Sequence, residues 1–68
     1  MKYYCTVCGS SFSYLAAWYH HLVHRHPELE PAWAKVVRLE GRKPKLWEVL
    51  WDAWEAGLVV VERGESHG

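Results

Sequence analysis

The residues of this chain that could do chemistry are two cysteines and a group of histidines near the N-terminus. Two residues separate Cys5 from Cys8, twelve separate Cys8 from His21, and four separate His21 from His26. A disulfide between cysteines this close would close a very small loop and add little stability. Two thiolates from one turn and two imidazoles from one helix face instead match the tetrahedral coordination of Zn²⁺. The spacing therefore predicts a zinc site formed by Cys5, Cys8, His21 and His26.

The elements that must position these ligands are a hairpin and a helix. Residues 3–12 are typical of two short strands, with the Cys-Thr-Val-Cys-Gly segment as the turn between them. Ser13 is a suitable N-cap for a helix predicted over residues 14–24, and Pro27 ends or closely follows that helix. Residues three to five apart share a helix face, so the two histidine ligands can converge if the last turn loosens.

In these features residues 3–26 resemble the two-Cys-two-His zinc finger family. The family's aromatic residue before the first cysteine matches Tyr3 or Tyr4, and its core phenylalanine matches Phe12. Its core leucine, three residues before the first histidine ligand, is replaced here by the bulkier Trp18. The resemblance covers about a third of the chain and implies a ββα fold held by a structural zinc ion.

A second pair of histidines could serve as ligands. His20 and His24 are separated by three residues and would shorten the loop from Cys8 to eleven residues. We favour His21 and His26, because the offset of His21 from the two aromatic core positions matches the family core. The sequence leaves the alternative pair open.

A closed metal site argues against catalysis. Four protein ligands would fill the coordination sphere, whereas metal-assisted hydrolysis needs an open position for water. The sequence also lacks a nucleophile–base constellation and a phosphate-cradling loop. We therefore expect a structural metal and no enzymatic activity.

The rest of the chain predicts two further helices and a strand. Pro31 suits the first turn of a second helix, which Gly41 would end. A third helix is predicted over residues 44–56, with Gly57 as its C-terminal stop. The apolar, β-branched residues 58–61 indicate a strand that could add to the hairpin.

The predicted fold class is α+β, a ββα zinc finger extended by two helices and a short C-terminal strand. Residues 1–27 would form the finger and residues 28–63 an extension packed on it. Residues 64–68 are expected to be a frayed tail.

The charges are sorted along a chain whose net charge is zero. Residues 1–47 carry seven basic and three acidic side chains, whereas residues 48–68 carry one basic and five acidic side chains. A mildly basic first part is compatible with nucleic acid as a partner. It is not the strongly basic profile that would require one.

The resemblance places three helix positions, here Tyr14, Ala17 and His20, against base edges of duplex DNA. Base readout prefers Arg, Lys, Asn or Gln, so only His20 could donate a useful hydrogen bond. Phosphate contacts with salt-dependent affinity and little specificity are the better prediction. The basic side chains predicted to make them are Arg25, Lys35, Arg38, Arg42, Lys43 and Lys45. A merely solvated basic face is the alternative.

The predicted function is a small zinc-dependent regulator that binds nucleic acid. Small single-finger proteins with a short helical extension, similar to this chain, occur in archaeal genomes and their viruses, and the resemblance implies a role in transcription regulation. The chain contains neither Asn nor Gln. Since thermolabile residues are depleted in proteins from hot environments, this composition points to a thermophilic source.

A tryptophan-rich helix suggests a second function. Trp47, Trp51 and Trp54 lie on one side of the third helix, and apolar residues occupy the adjoining side, so the apolar arc spans roughly 220°. The helix could be the central core element, wedged between its neighbours. Alternatively, part of the tryptophan face is exposed and binds a protein partner or a second copy, with zinc purely structural. We expect at least one of the three tryptophans to be exposed.

The N-terminal residues lack the apolar segment of a signal peptide, and no apolar run reaches the length that spans a bilayer. Two unbridged cysteines with a metal are typical of a reducing compartment. The sequence therefore predicts an intracellular, cytoplasmic protein without a membrane partner.

Overall fold

The computed structural model describes residues 1–63 and has an α+β fold, with a three-stranded antiparallel sheet and three α-helices. In chain order the elements are β1 (Lys2–Cys5), β2 (Ser11–Phe12), α1 (Leu15–Arg25), α2 (Ala32–Leu39), α3 (Leu46–Glu55) and β3 (Val59–Glu62). A short 3₁₀-helix, Pro27–Leu29, follows α1. The predicted α+β class is confirmed, and the predicted tail at residues 64–68 lies outside the described residues.

The sheet has the order β2–β1–β3, so the first strand of the chain is the central one. Tyr3 pairs with Phe12 on one side and with Val61 on the other, and Cys5 pairs with Val59. The prediction that the C-terminal strand adds to the hairpin is confirmed. As a result, the start of β3 lies beside the first cysteine, and its end lies beside Lys2.

Helix α1 begins one residue later than the prediction. Tyr14, not Ser13, is the N-cap, and it has an extended backbone and no side-chain capping hydrogen bond. The helix is oriented instead by its apolar face, because Trp18, Tyr19 and Leu22 are buried. Packing of this face offsets the missing cap, since most helical stability in proteins comes from tertiary contacts.

Helices α2 and α3 end at glycines, as predicted. Gly41 and Gly57 have positive φ angles of 83° and 77°, which residues with a side chain rarely adopt. After α3, the N–H of Leu58 donates to the carbonyl of Ala53 at 2.8 Å, which is the closing bond of a Schellman motif. The helix starts differ slightly from the prediction, because Pro31 and Lys45 are N-caps that precede α2 and α3.

One hydrophobic core joins the hairpin, the three helices and β3. Trp18 is only 1% exposed and is the largest fully buried side chain among the described residues. The remaining buried members of the cluster are Tyr3, Tyr19, Leu22, Ala34, Val49, Leu50, Ala53 and Val59.

A buried carboxylate fixes the corner between α1 and α2. Glu30 accepts a hydrogen bond from the Tyr19 hydroxyl at 2.6 Å and two from the Arg38 guanidinium at 2.9 and 3.2 Å. Burial raises the pKa of Glu30, but the hydrogen bonds from Arg38 and Tyr19 outweigh burial and hold this pKa below its ordinary value. Burial, together with the bond to Glu30, raises the pKa of Tyr19 to about 12. The carboxylate is therefore ionised and satisfied at neutral pH.

Helix α3 packs on one side only. Val49, Leu50 and Ala53 are buried, whereas Trp47, Trp51 and Trp54 are 65%, 59% and 53% exposed. The expectation that at least one tryptophan is exposed is confirmed. The interpretation of α3 as an element wedged between its neighbours is wrong, because the neighbouring elements cover only the Val49–Ala53 side.

Candidate metal centre

The four predicted ligands come together at one point. The donor atoms of Cys5, Cys8, His21 and His26 all lie within 4.8 Å of one another. Cys5 ends β1, Cys8 lies in the following turn, His21 lies on α1, and His26 is the C-cap of that helix. Strand β1, the turn that follows it and helix α1 with its C-cap therefore supply the four residues.

The turn that presents the two sulfurs depends on a glycine. The N–H of Gly9 donates to the carbonyl of Cys5 at 2.7 Å, and the N–H of Cys5 donates to the carbonyl of Ser10 at 2.8 Å. Gly9 has a φ angle of 80°, so a residue with a Cβ would be strained there. These bonds fold the chain back tightly enough to bring Cys5 and Cys8 to one site.

The wide spacing of the two histidines is accommodated where α1 ends. The N–H of His26 still donates to the carbonyl of Leu22 at 2.9 Å, but its φ and ψ angles of −133° and 58° are not helical. This departure is the loosening of the last turn that the spacing requires. The rings of His21 and His26 then meet nearly edge to face, with centroids 5.0 Å apart.

The first histidine is fixed by its neighbours. The ring of His21 packs against Phe12 at a centroid distance of 4.8 Å, and its Nε2 atom lies 3.2 Å from the sulfur of Cys8. Phe12 therefore orients a ligand as well as completing the hairpin.

The donor set fits one tetrahedral ion. Ligand atoms on a shared Zn²⁺ lie about 3.3–3.8 Å apart, so donors within 4.8 Å need only small side-chain adjustments. Nε2 of His26 is buried and has no hydrogen-bond partner among the described residues. Leaving such an atom unpaired costs about 1–3 kcal/mol, and a metal ion would satisfy it. The four residues could therefore hold a metal ion.

The cysteines are in a state suited to coordination. Both are free, Cys5 buried and Cys8 exposed. Hydrogen bonding by the Ser10 side chain is the largest of the causes that lower the pKa of the Cys8 thiol to about 5. Cys8 is therefore a thiolate at neutral pH, which is the form that binds metals.

The alternative histidines lie elsewhere. His20 and His24 are exposed, and their rings stack on each other with centroids 5.7 Å apart. They line a groove of about 400 Å³ between α1 and the segment that connects α2 to α3. Within residues 1–63, the geometry brings His21 and His26, not His20 and His24, to the cysteines.

The predicted nucleic-acid contacts divide into two groups. Arg38 is committed to the buried carboxylate of Glu30, and Arg42 forms an exposed salt bridge with Glu40. The other basic side chains form no salt bridge with any residue in the range 1–63. These exposed groups are Arg25, Lys35, Lys43 and Lys45, and His20 is exposed as well.

The groove beside α1 was not foreseen from the sequence. Arg42 and Lys43 form one wall, His20 and His24 lie on another, and Leu46 contributes to the apolar lining. In the sequence, the only sign of this groove was a run of basic residues before the predicted start of a helix. Nothing in that run indicated that it would lie against α1. The burial of Glu30 was missed for the same reason.

Comparison of the chain with protein-family models, curated proteins and solved structures finds no match. No helix in the described part of the chain combines the length and the apolar character needed to cross a membrane.

Proposed function

We propose that this protein is a small zinc-stabilised nucleic-acid-binding regulator, in which a ββα zinc finger is extended by two helices and a third strand. Zn²⁺ is the metal best matched to the site, because two thiolates and two imidazoles in a tetrahedral arrangement suit it. Four protein ligands leave no open position, so the role of the ion is structural.

The observation that carries the nucleic-acid proposal is the groove beside α1. Its walls bring His20, on the exposed face of the finger helix, together with Arg42 and Lys43 from the connecting segment. In zinc fingers this helix enters the major groove of duplex DNA. A basic segment beside it would meet the phosphates that flank the groove.

The contacts should be mainly electrostatic. Lys43 and Lys45 are exposed and unpaired within the described chain, and the salt bridge of Arg42 is exposed and therefore easily exchanged for a phosphate. The finger helix offers only His20 for base readout, so affinity should exceed specificity. Arg38 also lines the groove, but its guanidinium pairs with Glu30, so the proposal assigns it no phosphate contact.

Binding of a mixed-sequence DNA duplex to the zinc-loaded protein over a range of salt concentrations tests the proposal. The Lys43→Ala/Lys45→Ala variant should bind more weakly to all sequences, and the slope of log K against log salt should fall by about one unit per lost phosphate contact. Arg63→Ala removes one exposed positive charge outside the groove and should leave the slope nearly unchanged.

Two results would contradict the proposal. If neither duplex, single-stranded DNA nor RNA binds at low salt, the protein is not a nucleic-acid-binding protein. If the lysine variant binds as the wild type does while His20→Ala abolishes binding, the finger helix reads bases and the electrostatic mechanism is wrong.

A further inference from the structure

The side of α3 that faces away from the core carries a continuous aromatic surface, which we call the tryptophan face. Trp47, Trp51 and Trp54 are spaced four and three residues apart, so they form a single stripe along the helix. All three are more than half exposed. Because Val49 and Ala53 anchor the opposite side in the core, α3 cannot rotate to bury this stripe.

The tryptophan face has an acidic edge. At about 100° per residue, Glu48 and Glu55 lie immediately beside the stripe. Both are exposed, and neither forms a salt bridge with any residue from 1 to 63. Asp52, further round the helix, instead accepts a 2.6 Å hydrogen bond from the indole of Trp33. Helix α3 contains these three acids and no base.

This charge pattern disfavours a second copy as the occupant. Antiparallel packing of two α3 helices across the stripe would set Glu48 of one copy near Glu55 of the other. Parallel packing would still bring together two helices that carry only negative charge. Like charges across an interface oppose association, so the complementary surface is positive.

The chemistry of the face suits cationic side chains with apolar stems. The rings of Trp51 and Trp54 are 5.8 Å apart and inclined by 50°, which leaves their outer faces open to a guanidinium or ammonium group. Arg and Lys bind indole faces through cation–π contacts, and their alkyl stems pack on apolar surface. The carboxylates of Glu48 and Glu55 would pair with the same charges at the edge.

We propose that the tryptophan face is a docking site for a basic segment of a partner protein, in which Arg or Lys alternates with aliphatic residues. This site is separate from the metal centre and from the groove beside α1. It would give the protein a second binding activity, independent of nucleic acid.

The test is a titration of the zinc-loaded protein with a 12-residue peptide of alternating Arg and Leu. Tryptophan fluorescence and the NMR signals of the indole N–H groups monitor binding. A peptide of the same length in which Glu replaces Arg is the control. We expect the basic peptide to shift the signals of Trp47, Trp51 and Trp54, and the acidic peptide to leave them unchanged.

Substitutions on and away from the tryptophan face test where the peptide binds. Glu48→Gln/Glu55→Gln and Trp51→Ala should each weaken binding at least tenfold, whereas Glu28→Gln, which removes an exposed charge from the 3₁₀-helix, should not. The proposal is overturned if the basic peptide does not bind or if these variants bind it as the wild type does. It is also overturned if sedimentation shows a dimer that Trp51→Ala dissociates, or if anionic vesicles occupy the face in preference to the peptide.

Discussion

At the scale of single residues, a different local feature positions each of the four residues that could hold a metal ion. Gly9 allows the tight turn that brings Cys5 and Cys8 together. His21 is held against an aromatic side chain of β2, and His26 is released from helical geometry directly before a proline. The site thus depends on a few positions at which another residue would not reproduce the same backbone conformation or packing.

The choice of histidines gives the first prediction. His21→Ala should abolish stoichiometric binding of Co²⁺, used as a spectroscopic substitute for Zn²⁺, because it removes one of four ligands. His20→Ala is the matched control one residue away and should keep the thiolate charge-transfer band. The reverse outcome would assign the site to the His20 and His24 pair.

The cysteines differ in reactivity, which gives a second prediction. In the zinc-loaded protein at pH 6–7, Cys8 should be alkylated by iodoacetamide before Cys5, because Cys8 is exposed whereas Cys5 is only 3% exposed. After chelation, when the hairpin is expected to unfold, both cysteines should react faster and at similar rates. Mass spectrometry of peptides after timed alkylation measures the order, and equal rates for the two cysteines in the zinc-loaded protein would contradict the assignment.

At the scale of elements, α1 and α2 are joined by a polar contact and not only by apolar packing. Tyr19 and Arg38 both donate to the buried carboxylate of Glu30. Breaking a buried charged network by removing one partner is costly, because the remaining groups lose their hydrogen bonds without regaining full hydration.

A third prediction follows for Glu30→Gln, which should lower the free energy of unfolding by about 1–3 kcal/mol at pH 7. Because the pKa of Glu30 is lowered by folding, its contribution is complete above the ordinary pKa of glutamate and is lost as the pH falls. The difference from wild type should therefore shrink toward pH 4. Urea unfolding of both proteins at matched zinc occupancy measures it, with Glu28→Gln as the control. If the difference in unfolding free energy between wild type and Glu30→Gln grew on acidification, the direction assigned to the pKa shift of Glu30 would be wrong.

The two large apolar faces of α1 and α3 should respond differently to truncation, which is a fourth prediction. Trp18→Ala removes a side chain from the centre of the core and should cost about 3–5 kcal/mol of stability. Trp51→Ala removes an exposed side chain and should change stability by less than about 0.5 kcal/mol. Thermal or urea unfolding distinguishes them. Comparable losses would mean that the tryptophan face is covered in solution.

At the scale of the whole molecule, the sheet connects the metal centre to the C-terminal strand. Cys5 pairs with Val59, and the N–H of Thr6 donates to the carbonyl of Leu58 at 3.1 Å. Trp18 also shares its core cluster with residues of α3 and β3. The N-terminal hairpin and α1 are therefore expected to unfold together with the rest of the described chain.

The fifth prediction concerns removal of the metal. Structural zinc in finger peptides contributes about 10–16 kcal/mol at neutral pH, more than a chain of this size can otherwise supply. A chelator should therefore remove hydrogen-exchange protection from the amides of Val59–Glu62 as well as from those of the hairpin. Protection of β3 that survives chelation would show that the C-terminal elements fold without the N-terminal hairpin. Acidification should act like the chelator, because protons compete with the metal for the thiolates and imidazoles.

Much of this protein is determined locally and could be predicted from the sequence. The α+β class follows from element lengths and patterns, and the stops at Gly41 and Gly57 follow from the backbone freedom of glycine. The grouping of Cys5 and Cys8 follows from turn geometry alone. The exposure of tryptophans on α3 follows from an apolar arc too wide for one small layer to cover.

Other features were decided only by tertiary structure, because they depend on contacts between residues far apart in the chain. Which histidines meet the cysteines depends on the rotation of α1, and this rotation is set by burial of Trp18 and Leu22 against the rest of the core. The burial of Glu30 depends on Arg38 of α2 and Tyr19 of α1 both reaching it. That same packing places the basic segment beside α1, because the position of a connecting loop is set by the elements it joins and not by its own residues.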